Sequence, residues 1–204
     1  MKRKPKSSQG EATKQTILQA AVQIVLSDGM DSLNTNGLAR RAGVSVGTLY
    51  QYFNNKDEIL LELLLASMER RMQKVKDAVT LSMAFKSSKE IIDRLIDALF
   101  EADSIESEKL EFLLFPWALA NQPKAAMNLV HRNRESIHPL LKLLLVTKEP
   151  GLKSRDIDAV SFILLQAVRG TLVGRTMPEG KDLSEISLKK ELKHLFFAML
   201  SPPK

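Results

Sequence analysis

One stretch of the chain has the pattern of two short helices joined by a glycine turn, Leu38-Ala39-Arg40-Arg41-Ala42-Gly43-Val44-Ser45-Val46-Gly47-Thr48-Leu49-Tyr50-Gln51-Tyr52-Phe53-Asn54-Asn55-Lys56, and it predicts a helix-turn-helix. Asn34, just upstream, is a good N-cap for a short helix that Gly43 then ends. Ser45 caps a second helix of about two turns. A helix this short needs packing against neighbours for its stability, which leaves its other face free.

A longer helix precedes this pair. Its apolar residues recur at the spacing of an amphipathic helix, and they are Ile17, Ala20, Ala21, Ile24 and Val25. Gly29 follows as the left-handed residue that commonly ends a helix. The sequence therefore predicts a three-helix head over residues 11–55, preceded by a flexible basic arm over residues 1–10.

The free face of the last short helix carries groups that suit DNA. Hydroxyls, an amide and aromatic rings can meet phosphate oxygens, base edges and thymine methyls, and these groups belong to Ser45, Thr48, Tyr50, Gln51 and Tyr52. Gly47 has no side chain, so the backbone can approach DNA closely. Only the major groove is wide enough for a helix. Helix pairs with a glycine turn also occur as plain structure, so this pattern alone leaves both interpretations open.

Charge is concentrated in the same region. Residues 1–56 hold eight basic and three acidic residues, a net charge of +5, whereas the other 22 basic and 21 acidic residues leave +1. Such a segment attracts polyanions, although a solvated basic tail explains the charge equally well.

The sequence gives little support for other classes of protein. The chain has no cysteine, no Gly-rich phosphate loop, no nucleophile elbow and no paired zinc-binding histidine motif, so neither an enzyme nor a cofactor is expected. The basic N-terminus runs into polar residues rather than an apolar segment, unlike a secretory signal. The longest apolar runs, residues 112–120 and 160–168, are too short to span a bilayer. We therefore expect a cytoplasmic protein without a membrane partner.

From about Lys56 the pattern changes to long helices without strand-like alternation. The predicted bounds are 56–84, 88–102, 105–120, 123–146, 154–175 and 184–200, with breaks at Ser, Pro and Gly clusters between them. The predicted architecture is all-α, with the head followed by a larger helical domain over residues 56–204.

The stretch from Leu38 to Lys56 closely resembles the DNA-binding signature of the TetR family of transcriptional repressors. The ordered combination of Ala-Gly-Val-Ser, Gly-Thr-Leu-Tyr, Tyr-Phe and a following Lys carries this resemblance, which extends over roughly residues 11–60. It implies a helix-turn-helix head, a fourth helix that links it to a ligand-binding domain, and a homodimer formed by the last two helices.

Carried over residue by residue, the resemblance suggests DNA contacts for Asn34, Thr35, Ser45, Gly47, Thr48, Tyr50, Gln51 and Tyr52, with Lys56 on a phosphate. Phe53 and Leu49 would be head core. Two positions depart from the family pattern. Asn34 stands where Thr is usual, and Gly37 stands where a polar helix former is typical.

The last two predicted helices suit a homodimer through residues 154–175 and 184–200. The first is apolar on nearly every side, so we expect it to be buried against the domain on one side and a second subunit on the other. Gly170 and Gly174, four residues apart, would allow close helix approach or would simply fray the helix end. The second carries an apolar stripe. A dimer would present two recognition helices to two half-sites of operator DNA.

An effector pocket is harder to place. Candidate walls and polar handles for a small molecule are Phe100, Phe112, Phe115, Trp117, Met127, His131, Gln166 and Arg169, each of which is also compatible with ordinary structure. His131, Glu135 and His138 share a helix face, but a solvated face is the better interpretation than a metal site. The expected function is a ligand-responsive repressor. An activator, or a helical small-molecule-binding protein with the same fold, is the alternative.

Overall fold

A computed structural model describes residues 8–82, 84, 88–102, 105–148, 156–177, 180 and 182–200. Over these residues every regular element is helical. The helices are α1 (Ser8–Asp28), α2 (Thr35–Ala42), α3 (Val46–Tyr52), α4 (Lys56–Ser82), α5 (Ser88–Ala102), α6 (Ile105–Asn121), α7 (Pro123–Lys148), α8 (Ile157–Gly174) and α9 (Glu185–Leu200), with a 3-10 turn at Met30–Ser32.

The predicted all-α architecture is confirmed, and the predicted bounds of α4 to α9 lie within three residues of those observed. One boundary is wrong. Residues 8–10, expected in a flexible arm, form the first turn of α1. Gln9 contributes to this turn because its carbonyl accepts the Thr13 hydroxyl at 2.9 Å. Residues 1–7 of the expected arm, and residues 154 and 155 of the expected dimer segment, lie outside the described part.

The chain divides into two compact units. The first takes in residues up to Met68 together with Lys109–Ala126, and the second takes in Glu69–Glu108 and the residues from Met127 onwards. The divisions fall inside α4, α6 and α7, so the predicted boundary at residues 55 and 56 does not coincide with them.

The first unit is organised around the head. The stripe on α1 is buried as predicted, and Leu38, Leu49 and Phe53 are each at most 2% exposed. These apolar side chains hold α2 against both α1 and α3. Further along the chain, the buried Ser67 hydroxyl donates to the buried Glu111 carboxylate at 3.0 Å, so a polar link joins α4 to α6 within this unit.

The second unit has a core built from α5, α8, α9 and the end of α4. Its buried residues include Val79, Ile96, Leu164, Leu172 and Phe196. Beneath this core Arg175 makes two hydrogen bonds of 2.6 Å to Glu108, whose side chain is fully buried. The guanidinium also lies 4.9 Å from the Phe100 ring centroid. A bidentate pair of this kind satisfies two charges that would be costly to bury singly.

Helix α8 is twice as long as the nine-residue apolar run, residues 160–168, singled out in the sequence. Over its 18 residues the mean hydropathy is 1.4, which is enough by length and composition to cross a membrane, so the expectation that every apolar run was too short is wrong for this helix. The core helix of a globular protein passes the same test. Val160, Leu164, Val168 and Leu172 face the core, whereas Phe162 and Ile163 are 55% and 48% exposed.

Candidate DNA interface

The turn between α2 and α3 depends on two caps. The Asn34 side chain accepts a hydrogen bond from the Gly37 amide at 2.8 Å and so closes the first turn of α2. Gly43 ends the helix with φ of 67°, in the left-handed region that favours glycine. The Val44 amide then donates to the Ala39 carbonyl at 3.0 Å. These bonds fix the direction in which the chain enters α3.

The recognition helix α3 is held from both ends. The Ser45 hydroxyl accepts the Thr48 amide at 3.0 Å, and its oxygen lies 2.9 Å from the Thr48 hydroxyl oxygen. Leu49, 1% exposed, and Phe53, 2% exposed, anchor the inner face. With only seven residues, α3 owes its stability to this anchoring rather than to its own length.

The outer face of α3 presents a compact group of chemically varied side chains. Tyr50 is 43% exposed and Val46, one turn earlier, is 36% exposed. Gly47 and Gln51 form the adjacent exposed row. A Cβ on Gly47 would meet only the Ser45 hydroxyl, at 3.7 Å, so the space outside this position is open. The face therefore combines a phenol, an amide, an apolar group and bare backbone.

The start of α4 is also capped by side chains. The Asn55 side chain accepts the Glu58 amide at 2.8 Å, and the Glu58 carboxylate accepts the Asn54 amide at 2.7 Å and its side-chain NH₂ at 2.9 Å. This is a capping box displaced by one residue. Lys56, the first helical residue, is exposed. Its ammonium group is therefore available close to the backbone amides of a helix N-terminus, where anions bind favourably.

The predicted DNA-contacting residues differ in their exposure. All nine lie in the first unit, and Asn34, Ser45, Gly47, Tyr50, Gln51 and Lys56 are exposed, whereas Thr35, Thr48 and Tyr52 are half-buried. The Ser45 and Thr48 hydroxyls bond to each other, and each keeps further hydrogen-bonding capacity. Val46 was missed. Its position four residues before Tyr50 was the available signal. DNA contact by these residues stays a prediction.

The candidate effector residues differ in their exposure within the single chain. Phe100 is 3% exposed and packs in the core of the second unit, whereas Phe112 is 39% and Met127 is 57% exposed. His131, Gln166 and Arg169 are exposed, and Phe115 and Trp117 are half-buried. Their role in ligand binding stays a prediction.

One described cleft, of about 390 Å³, lies in the head instead. It opens between the end of α1 and α2 and is lined by Ile24, Asp28, Ser32, Asn34, Gly37, Arg40 and Arg41.

The histidine-rich face of α7 does not assemble a metal site. His131 Nε2 lies 3.1 Å from Glu135 Oε1, while His138 Nε2 lies 2.9 Å from the Ser161 hydroxyl on α8. Within the described residues no group of three His, Asp or Glu side chains is placed to hold a metal ion.

Over its described residues the chain is helical and carries a capped helix-turn-helix with an exposed outer face on α3, which is the architecture of helix-turn-helix regulators. Residues 17–63 match the profile of the family described as "Bacterial regulatory proteins, tetR family". The fatty acid metabolism regulator protein of Bacillus subtilis is 35% identical over 68 residues, which are 31% of this chain and 35% of that protein. The match to the tetR family therefore covers the head and the start of α4. The matched region spans about a third of the length, 31–36%, of three such regulators.

Solved structures share this fold over nearly the whole chain. A tetR-family transcriptional regulator from Mesorhizobium loti superimposes with a TM-score of 0.78 at 17% identity, covering 95% of this chain and 98% of that one. The regulator FadR from Bacillus subtilis, in complex with stearoyl-CoA, gives a TM-score of 0.69 at 18% identity, covering 94% and 100%. At these identities the likeness shows the fold.

Proposed function

We propose that the chain is a homodimeric transcriptional repressor that binds a palindromic operator and is released by a small molecule. The observation that carries this proposal is the outer face of α3. Val46, Gly47, Tyr50 and Gln51 form an exposed surface on a helix whose inner face is fully anchored. A short helix presented in this way has the size and chemistry to enter a major groove.

Charge around this face supports nucleic acid as the partner. The net charge of +5 over residues 1–56 lies on the part of the chain that carries α3. Lys56 adds an exposed ammonium at the first residue of α4. Contacts of this kind supply affinity without sequence preference, and the side chains on α3 supply the discrimination between operators.

Helix α8 supports the homodimer. Phe162 and Ile163 are large, apolar and about half exposed in the single chain, on the side of α8 that faces away from the core. Gly170 lies on the same side, and a Cβ there would meet nothing within 4 Å. A second copy of residues 154–175 and 184–200 would cover this surface. We propose that α8 is buried in this interface rather than in a membrane, and that the protein acts in the cytoplasm.

The effector is proposed to bind the larger helical domain and to shift the dimer toward a conformation in which the two recognition helices no longer match their half-sites. Half-site separation on B-DNA is about 34–36 Å or a multiple of it. The shift is limited by the ligand's differential affinity for the two conformations. Because FadR binds stearoyl-CoA, long-chain acyl-CoA esters are the first compounds to screen. The role is binding, not catalysis.

Selection of bound sequences from random duplex DNA tests the proposal. We expect a palindromic consensus bound by two subunits. The double variant Thr48→Ala/Tyr50→Ala should bind this duplex at least about tenfold more weakly, since each lost base contact removes roughly 1–3 kcal/mol, and should keep its dimerisation. The exposed pair Lys124→Ala/Asn128→Ala on α7 is the matched control.

A protein that enriches no sequence at low ionic strength would contradict the proposal and favour a helical small-molecule-binding protein. Repression is tested separately. A reporter gene behind the selected operator should be less active with the regulator present, and higher activity would identify an activator.

A further inference from the structure

We infer that Lys14 is a positioning residue for operator binding, which links α1 to α4, rather than a residue that contacts DNA; the inference rests on the proposed function. Lys14 Nζ lies 2.5 Å from Glu62 Oε1, although the two residues are 48 positions apart in the chain. The same ammonium lies 6.0 Å from the centroid of the Phe53 ring. All three residues belong to the first unit.

The environment of Lys14 differs from that of a phosphate-binding lysine. Its side chain is 22% exposed, and its ammonium is paired with a carboxylate. A DNA phosphate would have to displace Glu62, which carries the same negative charge. Lys56, by contrast, is exposed at a helix N-terminus. Lys14 is one of the eight basic residues in the first 56, but its charge is neutralised by a carboxylate of the same chain.

One partner of Lys14 lies in the short connection between α3 and α4, and the other lies beyond it on α4. Phe53 follows the last residue of the recognition helix, and only residues 53–55 separate α3 from α4. Glu62 lies in the second turn of α4, and the helix continues to Ser82, beyond the limit of the first unit at Met68. The ion pair thus fixes the angle at which α4 leaves the head, next to Lys56.

Loss of this link should reduce operator affinity, because α4 would no longer be held in its binding direction before DNA arrives. A helix whose direction is fixed before binding does not lose that freedom when DNA binds. The pair is only partly buried, so each copy contributes modestly, and two copies act in a dimer. We expect an affinity loss of about three- to tenfold for the dimer.

Neutral substitutions at both ends of the pair provide the test, measured as affinity of the full chain for its selected operator. Lys14→Gln and Glu62→Gln should each weaken binding about three- to tenfold, and the double variant should be no weaker than either. The Glu62 variant is the decisive one. Simple electrostatics predicts that removal of a negative charge from the head strengthens DNA binding, whereas loss of the link predicts weaker binding.

Two further measurements separate positioning from other roles. The salt dependence of binding should keep the wild-type slope in every variant, because no phosphate contact is lost. Glu69→Gln, which removes an exposed carboxylate two turns further along α4, should leave affinity unchanged. Helical signal and melting temperature are recorded for each variant, and the charge-swapped pair Lys14→Glu/Glu62→Lys should restore most of the affinity lost in Lys14→Glu.

Stronger or unchanged operator binding by Glu62→Gln would overturn the inference, as would additive losses in the double variant or a shallower salt slope for Lys14→Gln. These outcomes require that the wild-type protein binds its operator. Failure of the wild type to bind any duplex would instead contradict the proposed function, so the two failures are distinguishable.

Discussion

The Gly37 amide donates to the Asn34 side-chain oxygen at 2.8 Å, and a Cβ on Gly37 would lie only 3.2 Å from that same oxygen. The two departures from the family pattern are therefore one structural feature. Asn34 also donates to the Ser32 carbonyl at 3.1 Å, so its amide is held from both sides. The absence of a side chain at residue 37 leaves room for the longer cap.

This pairing predicts that the benefit of Gly37→Ala depends on Asn34. In a helix, alanine is favoured over glycine by about 1 kcal/mol. In the wild-type background we expect a smaller gain in unfolding free energy, since the new methyl group must push the cap aside. In an Asn34→Ala background, which itself loses about 1 kcal/mol, Gly37→Ala should give its full gain. Denaturant unfolding measures both, and equal gains in the two backgrounds would contradict the coupling.

Lys56 should contribute to affinity without contributing to sequence preference. If each subunit's Lys56 contacts one phosphate, Lys56→Ala should reduce the slope of log affinity against log salt by about two for a dimer. The relative affinities for different operator variants should not change. Lys124→Ala on α7 removes an equally exposed charge and should have no effect. An unaltered slope for Lys56→Ala would exclude a phosphate contact.

The protein should fail to dimerise when negative charge is placed on the outward side of α8. We expect Phe162→Glu/Ile163→Glu to weaken self-association at least about 100-fold, because four carboxylates would be buried in the interface of the pair. Analytical ultracentrifugation measures this. The control is Leu81→Glu, since Leu81 is 69% exposed near the end of α4 and outside the predicted interface. A dimer of unchanged stability in the α8 variant would locate the interface elsewhere.

The Arg175–Glu108 pair should be the most sensitive polar interaction in the second unit. Glu108→Gln removes the fully buried carboxylate of this pair and leaves the guanidinium only the half-exposed Glu185, so we expect unfolding free energy to fall by up to about 3–5 kcal/mol. Glu108→Leu/Arg175→Met removes both charges and should recover most of this loss. Thermal and urea unfolding test the comparison. A double variant as unstable as the single one would contradict the role of the buried guanidinium charge.

Glu185 is the internal control for that experiment. It accepts the other guanidinium nitrogen of Arg175 at 3.2 Å but is half exposed, so Glu185→Gln should cost less than about 1 kcal/mol. Its hydrogen bond with Lys189 and the nearby positive charges lower the pKa of Glu185. Because the pKa is lowered on folding, the stabilisation is present above the ordinary glutamate pKa and disappears as the pH falls through the lowered value.

Local signals were sufficient for the helices and for the head. Asn34, Gly43 and Ser45 each act within three or four residues of their own position, as caps or as a left-handed turn, so their effect can be recognised without knowing what packs nearby. The stripe on α1 and the inner residues of α3 likewise follow from helical periodicity, which repeats over short distances. The all-helical architecture was predictable for the same reason.

Contacts between distant residues were not predictable in this way. Lys14 is one of the eight basic residues counted in residues 1–56, but only the structure shows that it pairs with Glu62, 48 positions away. Likewise Glu108 and Arg175 carry no local sign of a buried pair, since 67 positions separate them. Sequence alone determined where helices begin, end and turn, because hydrogen bonds within a turn decide that. Tertiary structure decided which charges are neutralised and which are exposed, because that depends on the side chains that folding brings from elsewhere in the chain.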